Sequence, residues 1–112
     1  MSRHECDVRL RHMLDHAKEA VVIARGKTRA DLDTQRQLNL SLVRLLEIVG
    51  EAAARVPTEE RARYCDIPWA EIVGLRNRLI HGYDSVDFDI LWRIVTDDLP
   101  PLIAALEKVL QE

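Results

Sequence analysis

The stretch that decides the fold is residues 38–56, LNLSLVRLLEIVGEAAARV. Apolar side chains recur in it at alternating spacings of four and three residues, which is the period of one helix face; they are Leu38, Leu42, Leu45, Val49, Ala52 and Val56. Further apolar residues, among them Leu40 and Val43, widen this face considerably. The pattern predicts a helix from about Asp33 to Val56, closed by Pro57, that packs both on its own bundle and on another subunit.

Apolar residues recur with helical spacing both before and after this helix in the sequence. Upstream, an apolar stripe at 4/3 spacing predicts a helix over residues 4–25, ended by Gly26. Downstream, we expect a short helical turn within 58–66, a third helix from Asp66 to about Ile80, and a fourth from about Asp87. Pro100-Pro101 should break or kink the last helix, because proline cannot continue the hydrogen-bond ladder. The sequence therefore predicts an all-α, antiparallel bundle of four to five helices, its last helix kinked at Pro100-Pro101.

The size and composition of the chain exclude several classes of protein. Its 112 residues, 47% of them hydrophobic and 31% charged, fit one globular domain over residues 1–112. A bilayer span needs ~20 consecutive apolar residues, and the longest apolar runs here are far shorter. The N-terminus carries no apolar signal core, so we expect a cytoplasmic protein. The net charge is -3, so any nucleic acid would have to bind at a local basic patch.

The segment 76–83, RNRLIHGY, concentrates the groups that could carry chemistry. His81 can accept and donate a proton near neutral pH, and Arg76 can hold a phosphodiester and offset the charge that develops on it. These two functions suffice for metal-free RNA cleavage in which the 2′-hydroxyl of the substrate attacks. On an ideal helix, Arg76 and His81 lie roughly 140° apart. They could converge if the helix unwinds before Gly82 or if a second subunit completes the site. The alternative is structural: the arginines pair with carboxylates and His81 is a cation at a helix C-terminus.

Other polar residues give weaker signals. His12 and His16 lie one turn apart but lack a third ligand, so we predict no metal site. Glu47 follows Arg44 by three residues, a spacing typical of a surface ion pair, and a contact from Glu51 to the segment 76–83 stays open. Arg78 and the basic connection of Arg25, Lys27 and Arg29 are candidate RNA-binding residues.

The segment 76–83 resembles the Arg-Asn-x-x-x-His signature of the HEPN superfamily, in which a Tyr follows the His after one residue. Flanking residues are similar to one branch, the HepT-like ribonuclease toxins: Ile67-Pro68-Trp69 before the signature, Gly74-Leu75 leading into it, and Glu47 to Ala52 upstream. The likeness covers about residues 5–110.

The resemblance implies a small homodimer that cleaves RNA without metal or other cofactor, as the toxin of a toxin–antitoxin pair. In that case Arg76 stabilises the phosphate, His81 transfers protons, and Asn77 orients the site. The implied partner is a nucleotidyltransferase antitoxin that silences the toxin by attaching AMP to Tyr83. The alternative function is a non-catalytic helical accessory that presents a substrate or nucleotide to the nucleotidyltransferase.

Overall fold

The computed structural model describes residues 2–80 and 85–111 of the chain. Over these residues it is helical, without a β-strand, and the predicted all-α bundle is confirmed. The helices are α1 (Arg3–Ala24), α2 (Asp31–Thr34), α3 (Arg36–Ala54), α4 (Thr58–Arg61), α5 (Trp69–Val73), α6 (Leu75–Leu79), α7 (Phe88–Arg93), a π-helical segment (Ile94–Asp98) and α8 (Leu99–Leu110).

The first helix begins and ends as its sequence predicts. The side chain of Ser2 accepts a hydrogen bond from the Glu5 amide, which caps the N-terminus of α1. After α1, Gly26 has a positive φ of 73°, the left-handed conformation that glycine adopts without steric cost. The helix runs along α3 and α8, and these three helices enclose most of the core.

The second predicted helix is two helices. Gln35, with φ -108° and ψ 92°, separates α2 from α3, so the continuous helix expected from Asp33 is wrong at its start. A buried contact spans this bend: the side-chain amide of Asn39 donates to the main-chain carbonyl of Leu32 at 2.9 Å, and both side chains are buried. This bond fixes α2 against the first turn of α3. The C-terminal boundary is close to the prediction, since α3 ends at Ala54 and Pro57 follows.

The third predicted helix is interrupted at Gly74, which lies between α5 and α6. Trp69 anchors the start of α5, because its indole Nε1 donates to the carbonyls of Arg61 and Tyr64, both at 3.1 Å. A close approach holds α5 against α3: a Cβ on Gly50 would lie 3.1 Å from the Ile72 carbonyl oxygen. The short helix expected within 58–66 is confirmed as α4.

The last helical stretch runs without a break from Phe88 to Leu110. Asp87 caps α7 by accepting hydrogen bonds from the amides of Asp89 and Ile90. The expected irregularity lies just before the prolines, as a π-helical segment in which the Leu99 amide donates to the Ile94 carbonyl. Widening the helix there accommodates two residues that lack an amide hydrogen, Pro100 and Pro101. The main-chain hydrogen bonds therefore change from the α to the π pattern before the prolines, and the helix continues.

Apolar side chains from all the longer helices form one core. Its fully buried members include Leu10, Met13, Leu42, Leu46, Leu91 and Leu106. No helix in residues 2–80 or 85–111 combines the length and apolarity that a bilayer crossing requires.

Candidate functional site

A groove of about 910 Å³ lies between α3 and α6. Helix α6 contributes Arg76 and Asn77, and α3 contributes Arg36, Asn39 and Glu47. Ile80 and Val86 close one side, where they form an antiparallel bridge. The groove is open to solvent and lined by both polar and apolar groups, a combination typical of ligand sites.

Arg76 presents its guanidinium to this groove. Its side chain is 72% exposed, and its Nε lies 3.8 Å from Oε2 of Glu47, which is 21% exposed. That separation is too long for a hydrogen bond, so the contact is electrostatic, and no side chain within residues 2–80 or 85–111 hydrogen-bonds to the Arg76 guanidinium. The partly buried carboxylate of Glu47 attracts the Arg76 guanidinium toward the groove but forms no hydrogen bond with it.

The pairing of Glu47 with Arg76 was not predicted. The sequence pattern pairs Glu47 with Arg44, but Arg44 lies 3.8 Å from Glu51, seven residues further along α3. The link from α3 to the 76–83 segment, left open for Glu51, is instead made by Glu47.

Two of the predicted site residues, His81 and Tyr83, lie outside the described residues. The structure does define their chain neighbours: α6 ends at Leu79, and Ile80 has an extended conformation with φ -108° and ψ 118°. The helix therefore ends before Gly82. The angle of roughly 140° between Arg76 and His81 was calculated for a continuous ideal helix and does not apply here. On the far side, the Asp87 amide donates to the Leu79 carbonyl at 2.9 Å. Ile80 and Ser85, which flank 81–84 in sequence, both line the groove.

Arg78 is not brought together with Arg76. It lines a small separate depression between α5, α6 and α8, where its guanidinium lies 3.8 Å from Oδ2 of Asp98. Arg76 and Arg78 are two residues apart, about 200° around the axis of α6, and therefore face different surfaces.

The predicted basic connection lies outside the groove lining. Arg29 donates to Asp89 at 2.7 Å and to Asp33 at 3.1 Å, and its Cζ lies over the Phe88 ring, 5.8 Å from the ring centroid, a cation–π distance. The hydrogen bond to Asp89, followed by that to Asp33, raises the pKa of Arg29. Arg29 therefore contacts Phe88, which lines the groove, without lining it itself, whereas Arg25 and Lys27 are exposed.

Arg36 is a basic groove residue that the sequence analysis missed. Its NH1 donates to Oδ1 of Asn39 at 3.3 Å. The signal was available in the spacing, because Arg36, Leu40, Val43 and Glu47 recur at four, three and four residues and therefore share one helix face.

Metal-ligating side chains do not cluster in the described part of the chain: no three His, Cys, Asp or Glu side chains there could hold one ion. His16 uses Nδ1 to donate to the His12 main-chain carbonyl at 2.6 Å, which occupies one of its two ring nitrogens.

Comparison with known proteins adds independent findings. Residues 13–109 match the family model described as Ribonuclease HepT-like. The chain is 31% identical to "Putative RNase MJ1380" of Methanocaldococcus jannaschii, covering 97% of this chain and 100% of that protein. It is 33% identical to "Putative RNase TTE0752" of Caldanaerobacter subterraneus subsp. tengcongensis over 92% of each chain. "Probable ribonuclease HepT" of Thermococcus cleftensis is also 33% identical, over 86% of this chain and 91% of that protein. No solved structure matches.

Proposed function

Because the chain belongs to the family of HepT-like ribonucleases, we propose that it is a metal-independent endoribonuclease whose active site is the groove between α3 and α6. Family membership supports an RNase function in general terms. The observation that carries the specific proposal is the exposed guanidinium of Arg76, held at a solvent-open groove 3.8 Å from Glu47.

The proposed reaction needs no bound cofactor. The 2′-hydroxyl of the RNA attacks the adjacent phosphorus, its proton is removed, and the bond to the 5′-oxygen of the next nucleotide breaks as that oxygen gains a proton. The products are a 2′,3′-cyclic phosphate and a 5′-hydroxyl. Arg76 stabilises the additional negative charge on the phosphate oxygens, and a positioned donor of this kind is worth ~10²–10³ in rate.

His81 carries the proton transfer in this proposal. It follows Ile80, a groove residue, directly in the sequence, and imidazole is suited to general acid–base catalysis near neutral pH. Asn77, which is exposed and lines the same groove as Arg76, orients the phosphate or the imidazole through its amide.

The test is cleavage of RNA in the presence of EDTA. Wild-type protein should produce 2′,3′-cyclic phosphate ends, and His81→Ala should be slower by ~10²-fold or more. A matching oligonucleotide made of 2′-deoxynucleotides should resist cleavage, because it lacks the nucleophile. A requirement for divalent metal, or cleavage of the deoxy oligonucleotide, would contradict the mechanism.

We also propose that a nucleotidyltransferase antitoxin silences the enzyme by attaching AMP to Tyr83. The resemblance supports this partner, and nucleotide phosphates attached to the segment that follows Arg76 in sequence would add negative charge and bulk that oppose binding of an RNA backbone. Intact-mass analysis after co-expression should show AMP-sized increments that disappear in Tyr83→Phe. Tyr64→Phe is the control, since it removes the other tyrosine of the chain. Increments that persist in Tyr83→Phe would exclude this acceptor.

The alternative function, a non-catalytic accessory of the nucleotidyltransferase, makes a different prediction. Such a protein would bind the partner and a nucleotide yet leave RNA intact in every condition. The exposed Arg76 can bind the phosphate of a nucleotide as well as that of RNA, so cleavage of RNA in EDTA decides between the two functions.

A further inference from the structure

The charges along the groove are unevenly distributed. Among the described residues that line it, Arg36, Glu47 and Arg76 are charged, and Glu47 lies next to Arg76. Arg36 forms no ion pair with any carboxylate in residues 2–80 or 85–111. The end of the groove at the first turn of α3 therefore carries a positive charge that no neighbouring described side chain neutralises.

A buried side chain orients Arg36. Asn39 is 5% exposed, and its Nδ2 donates to the Leu32 carbonyl at 2.9 Å. Since a carbonyl can only accept, the amide oxygen of Asn39 must face the other way, toward NH1 of Arg36 at 3.3 Å. The guanidinium is thus partly ordered before any ligand binds, which lowers the entropic cost of binding.

Arg36 and Arg76 contact α3 at two levels that are well separated along its axis. The guanidinium of Arg36 lies at the level of Asn39, and that of Arg76 lies beside Glu47. Eight residues of α3 separate these two levels, a rise of ~12 Å. Two arginines that hold one phosphate must both lie within hydrogen-bond distance of its oxygens.

We infer that Arg36 binds a second backbone phosphate of the RNA, distinct from the linkage that is cut at Arg76, so that the groove takes an extended single strand. This inference rests on the ribonuclease activity proposed above. Because Arg36 acts away from the reacting atoms, it is a substrate-binding and positioning residue. It makes the enzyme prefer oligonucleotides over dinucleotides.

The experiment compares two substrates that differ in their number of phosphates. A ten-nucleotide RNA reaches both arginines, whereas a dinucleoside monophosphate has a single phosphate, which must lie at Arg76 to be cut. Arg36→Gln should lower kcat/KM about tenfold on the ten-nucleotide RNA, the loss of one charge-assisted hydrogen-bonded contact. It should leave kcat/KM on the dinucleotide unchanged.

Salt dependence gives a second readout. Binding of the ten-nucleotide RNA, measured by fluorescence anisotropy in the His81→Ala background, should lose ~0.7 from its log–log salt slope in Arg36→Gln, the value for one phosphate on a single strand. Arg36→Lys should keep the slope, because it keeps the charge. Arg44→Gln is the matched control: Arg44 lies on the same helix but outside the groove lining. Light scattering establishes that the variants share one oligomeric state.

The outcomes separate this inference from the proposed function. If wild-type protein cleaves RNA and Arg36→Gln matches it on both substrates, the inference is wrong and the function stands. An equal loss on the dinucleotide would also overturn it, since Arg36 would then act at the scissile phosphate. If wild-type protein does not cleave RNA, the proposed function fails, and the salt slope alone decides whether Arg36 binds a phosphate.

Discussion

At the scale of single residues, one buried amide connects folding to the site. Asn39 bonds to the Leu32 carbonyl on one side and to Arg36 on the other. A buried polar group is stable only when its hydrogen bonds are made. Asn39 lies among the buried, mostly apolar residues of α3, so its amide has a specific structural role. Sequence periodicity identifies residue 39 as part of a helix but cannot indicate this partner, which lies seven residues away across a bend.

Removing this amide should weaken the fold. Asn39→Ala leaves the Leu32 carbonyl without its partner in a buried place, which costs ~1–3 kcal/mol of the free energy of unfolding. Urea titration or thermal melting followed by circular dichroism measures the loss. Asn77→Ala serves as the control, because Asn77 is exposed and should change stability by less than ~0.5 kcal/mol. Equal stabilities for the two variants would contradict the role given to Asn39.

At the scale of the elements, local sequence signals predicted the helix ends better than the interruptions. Gly26 and Asp87 act as the cap residues their types suggest, since each works through the local backbone. The breaks at Gln35 and Gly74 were not predicted. Glutamine is a good helix former, and an isolated glycine is tolerated within a helix, so tertiary contacts decide whether the chain bends there. The two prolines predicted a break or kink in the last helix. The helix instead widens into a π-helical segment just before Pro100 and continues.

The close contact between α3 and α5 leaves little room for a side chain at Gly50. A side chain on Gly50 would press against the Ile72 carbonyl oxygen, which a Cβ would approach to 3.1 Å. Gly50→Val should therefore destabilise the protein by ~1–3 kcal/mol through overpacking. It should also lower RNA cleavage if α5 is displaced, because α6, which carries Arg76, follows directly.

Ala54→Val is the matched control for Gly50→Val. Ala54 is exposed on the same helix, so the substitution should cost only the difference in helix propensity, below ~1 kcal/mol. Chemical denaturation of both variants measures the two costs. If Gly50→Val is no less stable than Ala54→Val, the close approach of α3 to α5 does not constrain the fold.

At the scale of the whole molecule, the groove depends on contacts between distant parts of the chain. The sequence indicated Arg76, Asn77 and His81 as one cluster because they are neighbours along the chain. It did not indicate that Glu47 and Arg36 line the same groove as Arg76, because 29 and 40 residues separate them from it. Pairings of this kind follow from helix packing, which spacing alone does not specify.

The homodimer expected from the sequence would have to use the part of the apolar face of α3 that the chain's own core leaves exposed. Leu40 on this helix remains 51% exposed at the groove, where a second copy of the chain would cover it. If α3 packs on a second copy, Leu40→Lys should convert a dimer into a 12.9 kDa monomer in size-exclusion chromatography with light scattering. Val22→Lys is the control, since Val22 is 55% exposed on α1, outside the groove lining. A wild-type protein that is already monomeric would contradict this arrangement.

Whether RNA is cut in the groove at Arg76 is tested by the rate constant of a single turnover in EDTA. Arg76→Ala should reduce the rate constant ~10²-fold or more, because the charge that develops on the phosphate loses its stabilising cation. Arg44→Ala, which removes an equally charged side chain outside the groove lining, should cleave at the wild-type rate. Cleavage by Arg76→Ala at the rate of Arg44→Ala would place the chemistry elsewhere on the molecule.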